Sequence, residues 1–243
     1  MNRTKFFTMT FLLFAFSLML TAPAHAQEDD YDNQNRHPHI IYGNDPALAN
    51  NIVMMVDDNV YEGNIRYWFD LFEERGIKAT FFPHTAYMLD QDYQLWRDIV
   101  AAGHEIGYFT RQHQHGFSAE EFMADFLLFR DELRMILDDP NYEIRYAKPA
   151  CWYWEHPWFD WLEEANALYG VQGVRVNILG PTPSINYMEG VFNNTIAGGT
   201  IISLIPFPDQ MAWLDANITA IEALIAPNGQ PYRITSLTNA LND

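Results

Sequence analysis

The sequence predicts an α/β fold made of repeated strand–helix units with parallel strand pairing. Three observations lead there. Short apolar runs at 52–56, 78–83 and 200–205 alternate with longer amphipathic segments at 65–75, 91–102 and 119–137. The longer segments carry apolar residues three and four apart, the spacing of one helix face, whereas the short runs have strand length. No internal repeat or low-complexity segment interrupts the alternation. An open doubly wound sheet and a barrel both satisfy this pattern, and periodicity alone does not choose between them.

In chain order, Arg3 and Lys5 precede an apolar run from Phe6 to Leu20, and Ala24-His25-Ala26 follows as a small-x-small cleavage site. Residues 1–26 therefore read as a secretory signal peptide, with a mature chain from Gln27 that is periplasmic or extracellular. The apolar run is short for a membrane span, which argues against a stable membrane anchor. Residues 27–50 start acidic, with Asp29, Asp30 and Asp32, and read as a flexible leader that becomes ordered near Ile40. The barrel or sheet domain then occupies 51–243.

Within that domain, 52–56 is a strand, and 65–75 a helix with Trp68, Leu71 and Phe72 on one face. A strand at 78–83, a helix at 91–102 and a strand at 104–108 follow. The segment 119–137 is a long helix, with Phe122, Phe126, Phe129 and Leu133 at helical spacing; Ser118 and Glu121 form a capping box at its start. Then come strand 145–149, helix 158–168, strand 173–178, strand 200–205, helix 211–225 and strand 232–235, before a short final helix.

At 243 residues with a net charge of −18, the chain suits one domain with a sizeable core. Its negative surface argues against nucleic acid and anionic lipid as partners, repels acidic polysaccharides, and tolerates neutral or cationic glycans. Cys151 is the single cysteine, so no internal disulfide forms.

Three motifs carry the chemistry. Val56-Asp57-Asp58-Asn59 ends the first strand, Ala79-Thr80-Phe81-Phe82 is the second strand, and 103–113 reads Gly-His-Glu-Ile-Gly-Tyr-Phe-Thr-Arg-Gln-His. Their order and spacing resemble the polysaccharide deacetylase family, also called the NodB-homology or carbohydrate esterase 4 family. Its patterns are Thr-Phe-Asp-Asp-Gly, Ala-Thr-Phe-Phe and Gly-His-Glu-Ile-Gly-Asn-His-Thr-x-x-His. The resemblance implies a distorted (β/α) barrel, commonly with seven strands, and chemistry at the C-terminal strand ends. It also implies hydrolysis of an N- or O-acetyl group on a polysaccharide or oligosaccharide, with one divalent, zinc-like metal.

Carried over by position, the resemblance makes Asp57 the base and Asp58 a metal ligand, with Asn59 at the turn that the family fills with glycine. The two metal histidines fall on Phe109 and His113, so only His113 ligates; His115 and His84 are the candidate substitutes. His104 belongs to the strand and packs structurally. The Arg-Pro-Pro-Tyr-Gly motif is Lys148-Pro149-Ala150-Cys151-Trp152, in which Lys148 keeps the positive charge beside Asp57 but loses the planar fork of an arginine. The backbone N–H nearest Cys151 is the implied oxyanion donor. The late catalytic histidine falls on Ile205, which cannot donate a proton. Trp152, Tyr153 and Trp154 would line the mouth, where flat aromatic faces suit sugar rings.

The expected function is therefore an exported deacetylase-like protein that engages an acetylated glycan, catalytically impaired because of Phe109 and Ile205, with or without bound metal. It would act beside proteins of polysaccharide export or modification. Two alternatives stand: an active deacetylase with a rearranged metal site, and a metal-free glycan hydrolase using Asp57 and Asp58.

Overall fold

One strand, read from the sequence as a continuous apolar run ending in two acids, organises the molecule. A computed structural model describes residues 36–43, 45–114, 116–150, 156–176, 178–179, 198–226 and 228–242. The strands are β1 (Ile40–Tyr42), β2 (Asn51–Asp57), β3 (Thr80–Phe82), β4 (Glu105–Ile106), β5 (Tyr146–Ala147), β6 (Gln172–Arg175), β7 (Ile178–Leu179), β8 (Ile201–Leu204) and β9 (Arg233–Thr235). The helices are α1 (Glu62–Arg75), α2 (Thr85–Met88), α3 (Tyr93–Ala101), α4 (Ala119–Leu137), α5 (His156–Tyr169), α6 (Pro208–Glu222) and α7 (Leu237–Leu241). Among the described residues no helix is long and apolar enough to cross a membrane.

Among the described residues every strand ladder is parallel. β2 pairs with β3, β3 with β4, and the bridge Tyr108–Ala147 carries the path to β5. β5 pairs with β6, β7 follows β6 in the chain, and β7 pairs with β8, which returns to β2. The seven strands β2 to β8 thus trace the distorted barrel that the resemblance implied, with β9 added to the start of β2 and β1 to β6.

All seven residues of β2 are buried, as expected of a strand covered on both faces. Alternation still sorts them. Ile52, Met54 and Val56 pack outward with Trp68 and Phe72 of α1 and Trp96 of α3. Val53 and Met55 pack inward with Phe82, Tyr146, Val174 and Ile201. The same period of two puts Asp57 on the inward side at the top of β2 and Ser203 beside Ile201 on β8. Gly107 admits a close approach here: a Cβ on it would lie 2.4 Å from the Phe82 ring and 2.9 Å from the Tyr146 carbonyl.

Several elements match their sequence reading. α4 spans the expected residues, and its capping box is complete: the Glu121 N–H donates to Ser118 Oγ at 3.2 Å, and Glu121 Oε2 accepts from the Ser118 N–H at 2.8 Å. Other elements differ. β1 lies inside the stretch read as a leader, held by pairing with β6 rather than by any pattern of its own. α2 was not foreseen, because four residues carry no periodicity. The strand expected at 173–178 is found as two, β6 and β7, of which β6 pairs with β5 and β7 with β8.

His104 is structural, as expected. Its Nδ1 accepts from the Ala79 N–H at 3.0 Å, its Nε2 donates to Glu73 Oε1 at 3.0 Å, and its ring packs against Phe69, Phe72 and Phe81. Burial pushes its pKa down to about 4, and the neighbouring Glu73 only partly opposes this. A folded pKa below the unfolded value stabilises the fold above about pH 6.5, and that stability is lost as pH falls towards 4. The loss amounts to about 3 kcal/mol by linkage. His104→Asn keeps an acceptor for the Ala79 N–H and does not titrate. Urea unfolding at pH 7 and pH 4 should show a smaller loss for this variant than for the native chain; equal losses would exclude His104 as the titrating group.

Candidate active site

The site lies where β2, β3, β5 and β8 end. Asp57 is 2% exposed, so its charge requires a partner. Its Oδ2 accepts from Lys148 Nζ and from Ser203 Oγ, and Lys148 Nζ also lies 3.2 Å from Ser203 Oγ. Lys148 is fully buried; burial pulls its pKa down to about 8, against the pull of Asp57. A lysine supplies one point of contact where an arginine fork supplies two. Here the Ser203 hydroxyl gives the second, so two side chains from different strands hold one carboxylate oxygen. Oδ1 is buried with no hydrogen-bond partner among the described residues. It is the atom of Asp57 left to receive a proton.

Asp58 adopts a left-handed backbone, φ 68°. The left-handed residue of this turn is Asp58, one position before Asn59, which stands where the family has glycine. The turn lets Asp58 Oδ1 accept the N–H groups of Asn59 at 2.6 Å and Val60 at 3.2 Å. Its Oδ2 lies 3.8 Å from His113 Nδ1.

His84, two residues after β3, is fully buried. Its Nδ1 lies 3.0 Å from the Thr110 carbonyl, and its Nε2 lies 3.3 Å from His113 Nδ1. A carbonyl only accepts, so the ring proton sits on Nδ1 and Nε2 presents its lone pair to the site. Burial lowers the pKa of His84, which keeps the ring neutral near pH 7. The ligand atoms of Asp58, His84 and His113 all lie within 4.8 Å of one another. Two imidazoles and a carboxylate are a donor set used by catalytic zinc, and a ligand imidazole usually gives its other N–H to a carbonyl or carboxylate, as His84 does. These residues fit a divalent cation. Of the two candidate substitutes for the histidine replaced by Phe109, His84 lies beside Asp58 and His113, because the fold brings the end of β3 beside the 108–113 loop.

Phe109 cannot ligate, and it is buried with its ring stacked on His84 at 4.9 Å between centroids and 24° between planes. Asn59 is also buried. Its Oδ1 accepts the His84 N–H at 2.9 Å, and its Nδ2 donates to the His84 carbonyl at 3.3 Å and to Gln91 Oε1 at 3.2 Å. The loop carrying Thr110 and His113 is tied to α4. Tyr108 Oη and the Arg111 N–H both donate to Asp125 at 2.8 Å, and Arg111 Nε donates to Glu132 at 2.7 Å. Glu132 also accepts from Thr85 Oγ1 of α2 at 2.6 Å. Thr110, β-branched, has φ 71°, a costly conformation that these ties maintain.

The structure thus brings Asp57, Asp58, His84, His113 and Lys148 together. His115, Cys151, Trp152, Tyr153 and Trp154 lie outside the described residues. Ile205 follows β8, half-buried, with its N–H donating to Gln210 Oε1 at 2.7 Å. The sequence reading missed Ser203, whose signal was a lone hydroxyl in an aliphatic strand. It also missed Asn59 as a brace and Thr110 as an acceptor, which no local pattern announces. Tyr61 and Phe207 are exposed aromatics on the loops after β2 and β8, and Asn64 Nδ2 joins these loops by donating to the Pro206 carbonyl at 2.5 Å.

The fold is similar to that of a CE4 family pseudoenzyme from Bacillus anthracis, with TM-score 0.66, 16% identity, and coverage of 85% of this chain and 70% of that one. A mutant of that pseudoenzyme with restored enzymatic activity gives TM-score 0.68 at 17% identity, covering 85% and 72%. The chitin deacetylase of Colletotrichum lindemuthianum gives 0.62 at 14% identity, covering 84% and 92%. No curated protein matches the chain. Residues 45–150 match the family model described as polysaccharide deacetylase, the segment that holds Asp57, Asp58, His84, His113 and Lys148. Over residues 45–150 the chain is thus similar to the polysaccharide deacetylase family, and its fold is similar to that of CE4 structures.

Proposed function

We propose that this chain is an exported, cation-dependent deacetylase that removes an N- or O-acetyl group from a neutral glycan. The observation that carries the reading is the convergence of the Asp58, His84 and His113 ligand atoms beside Asp57. A bound zinc-like cation would supply a Lewis acid for the acetyl carbonyl and an acidified water. Asp57 would accept a proton on Oδ1, while Lys148 and Ser203 hold Oδ2 and so fix the direction of the free oxygen. Asp58 Oδ1 is committed to two backbone N–H groups, which leaves Oδ2 for the cation. The rings of Tyr61 and Phe207 suit stacking on sugar faces, and the chain's negative charge favours a neutral or cationic glycan. The chitin deacetylase relative is named for a neutral N-acetylated glycan.

Ile205 favours a second reading, a glycan-binding protein with little turnover. General acid help is worth about 10²–10⁴-fold, and an isoleucine gives none. The two readings share a site and differ in rate.

Acetate release from N-acetylated chito-oligosaccharides, with zinc present, separates them. Native protein should release acetate, and Asp57→Asn should cut the rate by about 10²–10⁴-fold. Ile205→His should raise it by restoring a proton donor at that strand end. No release by either the native chain or Ile205→His, despite measurable oligosaccharide binding, would favour the binding reading. Export is checked separately: protein recovered from the periplasm or medium should begin at Gln27, and an N-terminus at Met1 would refute cleavage.

A further inference from the structure

We infer that Asn59 and Phe109 are positioning residues that make His84 a cation ligand, so that Phe109 is a working part of the site. The inference rests on the cation-dependent reading above. His84 is held in three independent ways. Asn59 pairs with both its backbone groups, accepting the N–H at 2.9 Å and donating to the carbonyl at 3.3 Å. The Thr110 carbonyl holds Nδ1 at 3.0 Å and so fixes which nitrogen is bare. The Phe109 ring lies nearly parallel to the imidazole, at 24°, and blocks its rotation on one face. Together these contacts define the backbone, the tautomer and the ring plane, which are the three things a ligand imidazole needs fixed.

A flexible or smaller residue at either position would leave His84 near the site but not aimed. A glycine at 59 has no amide to clamp residue 84. At 109, a second imidazole would stand against His84 and close to Lys148, whose Nζ lies 5.2 Å from the centre of the Phe109 ring. A phenyl face attracts that ammonium, whereas an imidazole that becomes cationic repels it. The phenyl ring therefore supports two neighbours at once: the stacked ligand, and the lysine that holds Asp57.

Zinc titration calorimetry on the full-length mature chain tests this. Native protein should bind one zinc, and His84→Ala should lose binding. Asn59→Gly and Phe109→Leu should weaken zinc binding by about 10–100-fold, the usual cost of losing a residue that orients a ligand. Phe109→His should bind no more tightly than native protein. Melting curves without zinc identify any variant that has merely unfolded. A measurement on the native chain avoids substitution altogether: the ¹⁵N resonance of His84 Nε2 should shift on adding zinc while Nδ1 keeps its proton. Failure of native protein to take up zinc would sink both the cation reading and this inference. Uptake left unchanged by Asn59→Gly and Phe109→Leu, tighter uptake by Phe109→His, or an Nε2 resonance that ignores zinc would sink the inference alone.

Discussion

A carboxylate buried at the end of the central strand is the constraint on which the rest of the site depends. Asp57 is closed off from solvent, and an unpaired charge there costs several kcal/mol. Its compensation comes from Lys148, one residue past β5, and Ser203, on β8. Three strands distant in sequence must therefore end at one height for the charge to be tolerated. The parallel register does this: Val56 pairs with Leu204 and Asp57 with Phe82, which sets the level of β8 and β3 against β2. Barrel geometry and the buried charge are thus one problem. Oδ2 is occupied twice, and Oδ1 has no hydrogen-bond partner among the described residues.

A second layer holds backbone in conformations it would not choose. Asp58 and Thr110 both have positive φ, and Thr110 is β-branched, for which that region is costly. Each conformation has a use. The turn at Asp58 sends one oxygen to backbone N–H groups and leaves the other facing His113. The twist at Thr110 aims its carbonyl at His84. The strain is maintained by α4, whose Asp125 and Glu132 bind Tyr108, Arg111 and Thr85. A helix that is otherwise a hydrophobic lid over the strands therefore also sets the ligand geometry.

The departures from the family pattern read differently once they are seen together. Taken one at a time, a phenylalanine at 109, a lysine at 148 and an asparagine at 59 each remove something. In space, each has a partner: Phe109 stacks on His84, Lys148 shares Asp57 with Ser203, and Asn59 clamps His84. Ile205 has no such partner offering a proton among the described residues, since its strand end meets Gln210 through a backbone N–H.

The sequence by itself determined the α/β class, the order of the elements, the capped helix at 119–137, and the residues Asp57, Asp58, His113 and Lys148. These are local facts: hydrophobic period, cap chemistry and motif spacing are written in neighbouring residues. Only the tertiary structure decided that His84 stands beside Asp58 and His113, that Ser203 is the second hold on Asp57, and that Asn59 braces a histidine. His84 and His113 are brought together by the pairing of β3 with β4 and the ties to α4, and Ser203 reaches Asp57 across the β2–β8 ladder. Such contacts depend on strand order and register, which no window of sequence contains. His84 reaches Asp58 and His113 from a different strand end, across a distance that only folding closes.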